Sequence, residues 1–164
     1  DTSAAALAAP ADSITFCLSK GLSAPVGSVL CGSKDFIYRA HRARKQLGGG
    51  MRQAGIIAAA GIVALQTMVE RLADDHRRAH ELAEGLAAIP GIVIDPAQQH
   101  TNMVYFELAD DVSSMPQAFK DALGEQGLWF GHAGLRRFRM VTHTGIDDDA
   151  VQQALDLITA QLKN

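Results

Sequence analysis

The sequence predicts an α/β chain with long central helices, followed by a smaller α+β unit from about residue 89. Three observations carry this. The apolar runs at 12–18 and 27–32 do not alternate, which suits strands buried on both faces of a sheet. Residues 33–88 show helical spacing almost without interruption. Pro90-Gly91 then breaks the pattern, and short strand and helix signals follow.

Taken in order, residues 2–11 are alanine-rich and read as the end of a helix or a linker. Ser33 is a good N-cap for a helix whose apolar face is Phe36, Ala40, Ala43 and Leu47, with Arg39, Arg42 and Lys45 opposite. Gly48-Gly49-Gly50 ends it. A helix over 51–68 comes next. Its stretch Ala54 to Leu65 has no charged side chain and is too short to span a bilayer, so it reads as buried on most sides, in an assembly core or a subunit interface. Residues 69–88 form an amphipathic helix with Leu72, Ala79, Leu82, Ala83 and Leu86 on one side. Strands are expected at 91–94, 103–108, 128–130 and 138–142, and a helix at 116–126. Asp147 caps the last helix, with Ile146 and Val151 as its hydrophobic staple. The organisation expected is 1–68, a connecting helix 69–88, and a small domain 89–164.

Composition narrows the function. The 164 residues are 48% apolar with a net charge of −3. That is ordinary for a globular domain and gives no electrostatic reason to expect nucleic acid or an anionic membrane as partner. The two cysteines, Cys17 and Cys31, read as buried thiols in a reducing compartment, hence the cytoplasm. No metal-type cysteine spacing occurs, and no metal is expected. The methionines and phenylalanines read as core. The segment before Ala11 lacks the basic residues of a targeting signal, and the chain reads as beginning inside something longer.

Four features bear on chemistry. Lys20 sits between two apolar runs among Ser19, Gly21, Ser23 and Ala24. Small neighbours leave room round an amine, which a Schiff-base lysine needs; solvated loop lysines share that setting. The run Arg44-Lys-Gln-Leu-Gly-Gly-Gly-Met-Arg52 offers backbone N–H groups at the start of a helix, between Lys45 and Arg52. It suits an anion, or serves as a hinge between two helices; the order required of a P-loop is absent. Strand alternation puts Arg137, Arg139 and Val141 on one face, and Phe138 and Met140 on the other. An arginine on a strand can grip a carboxylate through two parallel hydrogen bonds, or can guard a sheet edge. Of the histidines, His41, His76 and His80 fall on solvated helix faces; His100, His132 and His143 fall near turns, and nothing selects one of them as acid or base.

Taken together, these segments resemble the L-threonine aldolases. The carriers are Asp12-Ser-Ile-Thr-Phe-Cys-Leu-Ser-Lys-Gly-Leu-Ser-Ala-Pro-Val-Gly-Ser-Val-Leu30, Arg44-Lys-Gln-Leu-Gly-Gly-Gly-Met-Arg-Gln-Ala-Gly55, His100-Thr-Asn-Met-Val104 and Arg139-Met-Val-Thr-His-Thr144, in that order. The resemblance implies the C-terminal part of a fold-type I enzyme dependent on pyridoxal 5′-phosphate (PLP), like aspartate aminotransferase: the end of the large-domain sheet, long interface helices, and a small α+β domain. It implies cleavage of L-threonine or L-allo-threonine to glycine and an aldehyde. Lys20 would hold PLP, with Arg52 also cofactor-binding. Arg139 would bind the substrate carboxylate, with Lys45 also on the substrate side. A homodimer or homotetramer is implied, with sites at subunit interfaces. The family's phosphate-binding loop, ring-stacking and catalytic histidines and Asp-Arg pair have no counterpart in residues 1–19, so little activity is expected of these 164 residues alone.

Overall fold

A computed structural model describes residues 2–163. The chain divides into two units, Asp1–Glu70 and Arg71–Asn164.

The first unit opens with a short helix α1 (Ala4–Ala8), whose N-cap Ser3 accepts a hydrogen bond from the Ala6 N–H. Strands β1 (Ser13–Cys17) and β2 (Ser28–Gly32) pair antiparallel, from Ser13 opposite Gly32 to Cys17 opposite Ser28. This corrects the expectation of strands buried on both faces. β1 is exposed over most of its length, and no third strand flanks the pair among the described residues. Cys17 is exposed and Cys31 half-buried, so neither is the buried thiol expected. Helix α2 (Lys34–Gln46) is capped by Ser33, whose Oγ accepts from the Phe36 N–H at 3.2 Å, as its sequence position predicts. Helix α3 (Gly55–Thr67) starts four residues later than the expected helix 51–68, because residues 52–54 form a turn in which Gln53 adopts φ 52°. Within this chain only Gly61 and Ala64 of α3 are buried.

The second unit has its own core. Helix α4 (Leu72–Ala87) leads to strand β3 (Ile92–Val93) and a 3-10 turn at Pro96–Gln98. Strand β4 (Met103–Leu108), helix α5 (Pro116–Glu125), strands β5 (Gly131–His132) and β6 (Arg137–Val141), and helix α6 (Asp148–Lys163) complete it. The sheet order is β3-β4-β6-β5, all antiparallel. Residues 128–130, expected as a strand, instead lead into β5. β4 and β6 alternate as their sequences require. Val104, Phe106, Leu108, Phe138 and Met140 face the core; Met103, Tyr105, Glu107, Arg137, Arg139 and Val141 face outward. Ala79, Leu82, Ala83 and Leu86 of α4, Phe119 and Leu123 of α5, and Val151, Ala154 and Ile158 of α6 join the same cluster. Four phenylalanines meet in its middle, with Phe130 and Phe138 edge to face at 5.3 Å. Such pairs contribute beyond their buried area. Of the methionines only Met140 is buried; Met51 and Met115 are exposed, against expectation. Asp147 caps α6 by accepting from the Ala150 N–H at 2.8 Å. Among the described residues no single helix is long and apolar enough to cross a membrane.

Candidate active site

Lys20 lies in the loop that joins β1 to β2. Backbone hydrogen bonds shape that loop: the Leu18 N–H to the Gly27 carbonyl, Ala24 to Leu18, and Ser23 to Lys20. Ser23 takes the left-handed conformation at φ 59°, unusual for a residue with a side chain. Leu18, Leu22 and Ala24 are buried beneath the loop, while Lys20 is exposed. The loop rests on α3 at one glycine. A Cβ on Gly61 would fall 2.8 Å from Leu18 Cδ1, so the missing side chain allows this close approach. The apolar residues fix the backbone and leave the amine free.

The glycine run ends α2, as expected, and does not present its N–H groups to an anion at the start of α3. Gly48, at φ 83°, and Gly49 close the C-terminus of α2. The Gly49 N–H bonds to the Arg44 carbonyl at 2.8 Å, and the Gly48 N–H to Lys45 at 3.3 Å, the paired bonds of a Schellman cap. Those N–H groups are therefore spent on carbonyls, at the helix end whose dipole favours cations. Arg44 and Lys45 occupy that last turn. The Lys45 side chain lies over Gly50, where a Cβ would sit 3.2 Å from Nζ. Lys45 is thus brought to within two residues of Arg52, which stands just before α3.

On β6 the structure separates three arginines that look alike in sequence. Arg136 is fastened to main-chain carbonyls: Nε donates to Leu108 at 3.1 Å, and Nη2 donates to Ala109 and Val112. Arg137 has Nε 3.8 Å from Glu107 Oε1 and its guanidinium 5.0 Å over the Tyr105 ring. Arg139 has no carboxylate within 4.0 Å and no side-chain hydrogen bond among the described residues. β6 is an interior strand, so Arg139 is no edge guard. Its register partners are Tyr105 on β4 and Gly131 on β5, and Gly131 leaves the space beside it open.

The remaining two motif segments meet each other. The Asn102 side-chain amide donates to the Thr142 carbonyl at 2.9 Å, and the Thr142 N–H donates to the Asn102 carbonyl at 3.0 Å. The buried Thr142 hydroxyl donates to the Asp75 carbonyl at 2.7 Å. This clasp fixes the end of β6 just beyond Arg139.

The sequence pattern of the beta-eliminating lyases matches residues 1–109, two thirds of the chain. The chain belongs to the beta-eliminating lyase family. It is 43% identical over 145 residues to low-specificity L-threonine aldolase 1 of Arabidopsis thaliana, covering 88% of this chain and 40% of that protein. It is 51% identical over 100 residues to the low specificity L-threonine aldolase of Escherichia coli K12, covering 61% of this chain and 29% of that protein. The chain thus spans two fifths or less of these relatives' lengths. A candidate L-allo-threonine aldolase of Listeria monocytogenes superposes with a TM-score of 0.72 at 19% identity, over 99% of this chain and 46% of that one. The serine palmitoyltransferase of Sphingomonas wittichii gives 0.72 at 20% identity, over 94% and 40%. At such identities the likeness is one of fold, and the fold is that of the fold-type I PLP-dependent enzymes.

Within this family member, Lys20, Lys45 and Arg52 fall in the first unit and Arg139 in the second. A cavity of about 510 Å³ contains none of them; it lies beside β4, lined in part by His100, Tyr105, Glu107 and Arg137. His132 hydrogen-bonds Gln117 at 3.1 Å and packs on Phe138, while His143 Nδ1 accepts from the Gly145 N–H. Among the described residues no cluster of three or more His, Cys, Asp and Glu could hold a metal. Tyr105, Glu107 and Asp75 were not singled out from the sequence. The first two were available from alternation: they share the outward face of β4 and stand opposite Arg139 and Arg137.

Proposed function

We propose that this chain is the lysine-bearing portion of a PLP-dependent lyase that cleaves L-threonine or L-allo-threonine to glycine and acetaldehyde. The observation that carries the reading is the loop of Lys20: an exposed amine among Ser19, Gly21 and Ser23, on a backbone held by buried Leu18, Leu22 and Ala24. That arrangement fits a cofactor attached through an aldehyde, because the amine has room around it. The names carried by the Arabidopsis and E. coli relatives support the same activity. PLP, when bound, supplies an acceptor for the electron pair released as the substrate Cα–Cβ bond breaks.

The chain's own residues then have distinct tasks. Lys20 holds the cofactor at Nζ. Arg139 donates two parallel hydrogen bonds to the substrate α-carboxylate, and so determines which bond at Cα is turned for cleavage. It is suited to this because its guanidinium has no competing carboxylate within 4.0 Å among the described residues. Arg52 contributes positive charge on the cofactor side and Lys45 on the substrate side. Residues 1–68 form the cofactor-binding part, 69–88 the connection and 89–164 the small domain. The protein works as a homodimer or homotetramer in the cytoplasm, and the exposed apolar residues Ile56, Ile62 and Val63 of α3 support assembly.

Adding PLP to the chain should produce the absorbance band of a lysine-bound cofactor, and Lys20→Ala should abolish it. An equal band in both proteins would overturn the assignment. The family's description favours a second reaction, β-elimination. Products decide between the two: glycine and acetaldehyde for the aldolase, ammonia and a keto acid for elimination.

A further inference from the structure

Two guanidinium groups project from the same face of β6, two residues apart, which in a strand is about 6.6 Å. They are not equivalent. Arg139 has no carboxylate within 4.0 Å among the described residues, whereas Arg137 has Glu107 at 3.8 Å. Glu107 and Arg137 are in register across the β4–β6 ladder, as are Tyr105 and Arg139. Arg137 also lies over the Tyr105 ring, diagonally across that ladder. The pair is not sealed away: both side chains are 52% exposed, and with Tyr105 they border the cavity of about 510 Å³ beside β4. Space for a ligand group therefore adjoins the second guanidinium.

We infer that Glu107 acts as a specificity residue: by occupying Arg137 it leaves one free cation on this face and restricts the site to substrates with a single carboxylate. The inference rests on the reading of Arg139 as the α-carboxylate ligand. A β-hydroxy amino acid with a second carboxylate, such as 3-hydroxyaspartate, carries two anions a few bonds apart. Two free guanidinium groups at strand spacing would suit both. With Glu107 in place, the second carboxylate meets a cation already neutralised and a carboxylate that repels it.

The test uses the natural protein that contains this chain, with kcat and KM measured on L-threonine and on L-threo-3-hydroxyaspartate. Glu107→Gln should raise the hydroxyaspartate-to-threonine ratio of kcat/KM by about fivefold, the order expected for releasing a partly exposed ion pair, and the change should lie in KM. Glu107→Asp, which keeps the charge, should hold the ratio closer to that of the unsubstituted protein. Adding Arg137→Gln to Glu107→Gln should reverse the gain. An unchanged ratio in Glu107→Gln, or a gain that survives loss of Arg137, would overturn the specificity role while leaving the aldolase reading intact. No threonine cleavage by the unsubstituted protein would overturn the functional reading and this inference with it.

Discussion

The two units bury their apolar residues to very different degrees. In residues 71–164 a continuous cluster runs from Ala79 on α4 through the sheet to Ile158 on α6. In residues 1–70 the buried apolar side chains are Leu18, Leu22, Ala24 and Ala64, while Ile14, Phe16, Leu30, Leu47, Ile56, Ile62 and Val63 are exposed. The second unit closes on itself. The first arranges a loop and presents apolar surface. A hydrophobic core is what makes unfolding cooperative, so the contrast concerns where the stability of these 164 residues resides.

Three measurements would break or sharpen that contrast. The largest effect is expected at Phe138, fully buried at the centre of the aromatic cluster. Phe138→Ala should cost about 3 to 5 kcal/mol in denaturant unfolding, and Ile62→Ala, on an exposed side chain, within about 0.5 kcal/mol. Equal losses would mean that the first unit also unfolds with a core. Next comes Gly61, where α3 meets Leu18. Gly61→Leu should disrupt the loop by about 1 to 3 kcal/mol, seen as faster amide exchange at Ser23 and Ala24 with the β4 and β6 amides unchanged. Faster exchange across the whole chain would instead mean that the two units open together.

The smallest effect is electrostatic and depends on pH. Asp148 of α6 accepts hydrogen bonds from Arg78 Nε and Arg77 Nη2, at 2.7 and 2.8 Å, and these hold its carboxyl below the ordinary value of 3.8. Both arginines are raised by the same bonds and stay charged throughout. A lowered carboxyl stabilises the fold above its ordinary value, and that contribution is lost as pH falls through the folded value. The melting temperature should therefore fall between pH 5 and pH 3, by less in Asp148→Asn than in the unsubstituted protein. Asp148 and Arg77 are exposed, so salt should blunt the difference.

What was legible in the sequence was mostly local. Ser33 and Asp147 act within three residues of themselves, and both cap as expected. That Arg137 and Arg139 share one face of their strand followed from alternation alone. Glycine was harder, because a run between two helices can end one or begin the next. Only the bonds of Gly48 and Gly49 to Lys45 and Arg44 decide it. Residue type also misled: Cys17 and Met51 are apolar, but whether they are buried depends on what packs over them. Asp75 shows the reverse. It is charged and fully buried, paired with Arg71 on the preceding turn. The spacing 75, 79, 82, 86 already put it on the apolar stripe of α4.

The interior position of β6 has a consequence for how the protein breathes. Freeing the backbone at Arg139 requires loss of the ladders to both β4 and β5, and of the core beneath them, so its amide should exchange only through global opening. The loop of Lys20 hangs on three backbone hydrogen bonds and can open locally. The two residues assigned to one reaction thus stand at opposite ends of the chain's opening free energies. With the roles proposed above, mild heat or denaturant would release the Lys20 loop well before Arg139 lost its place.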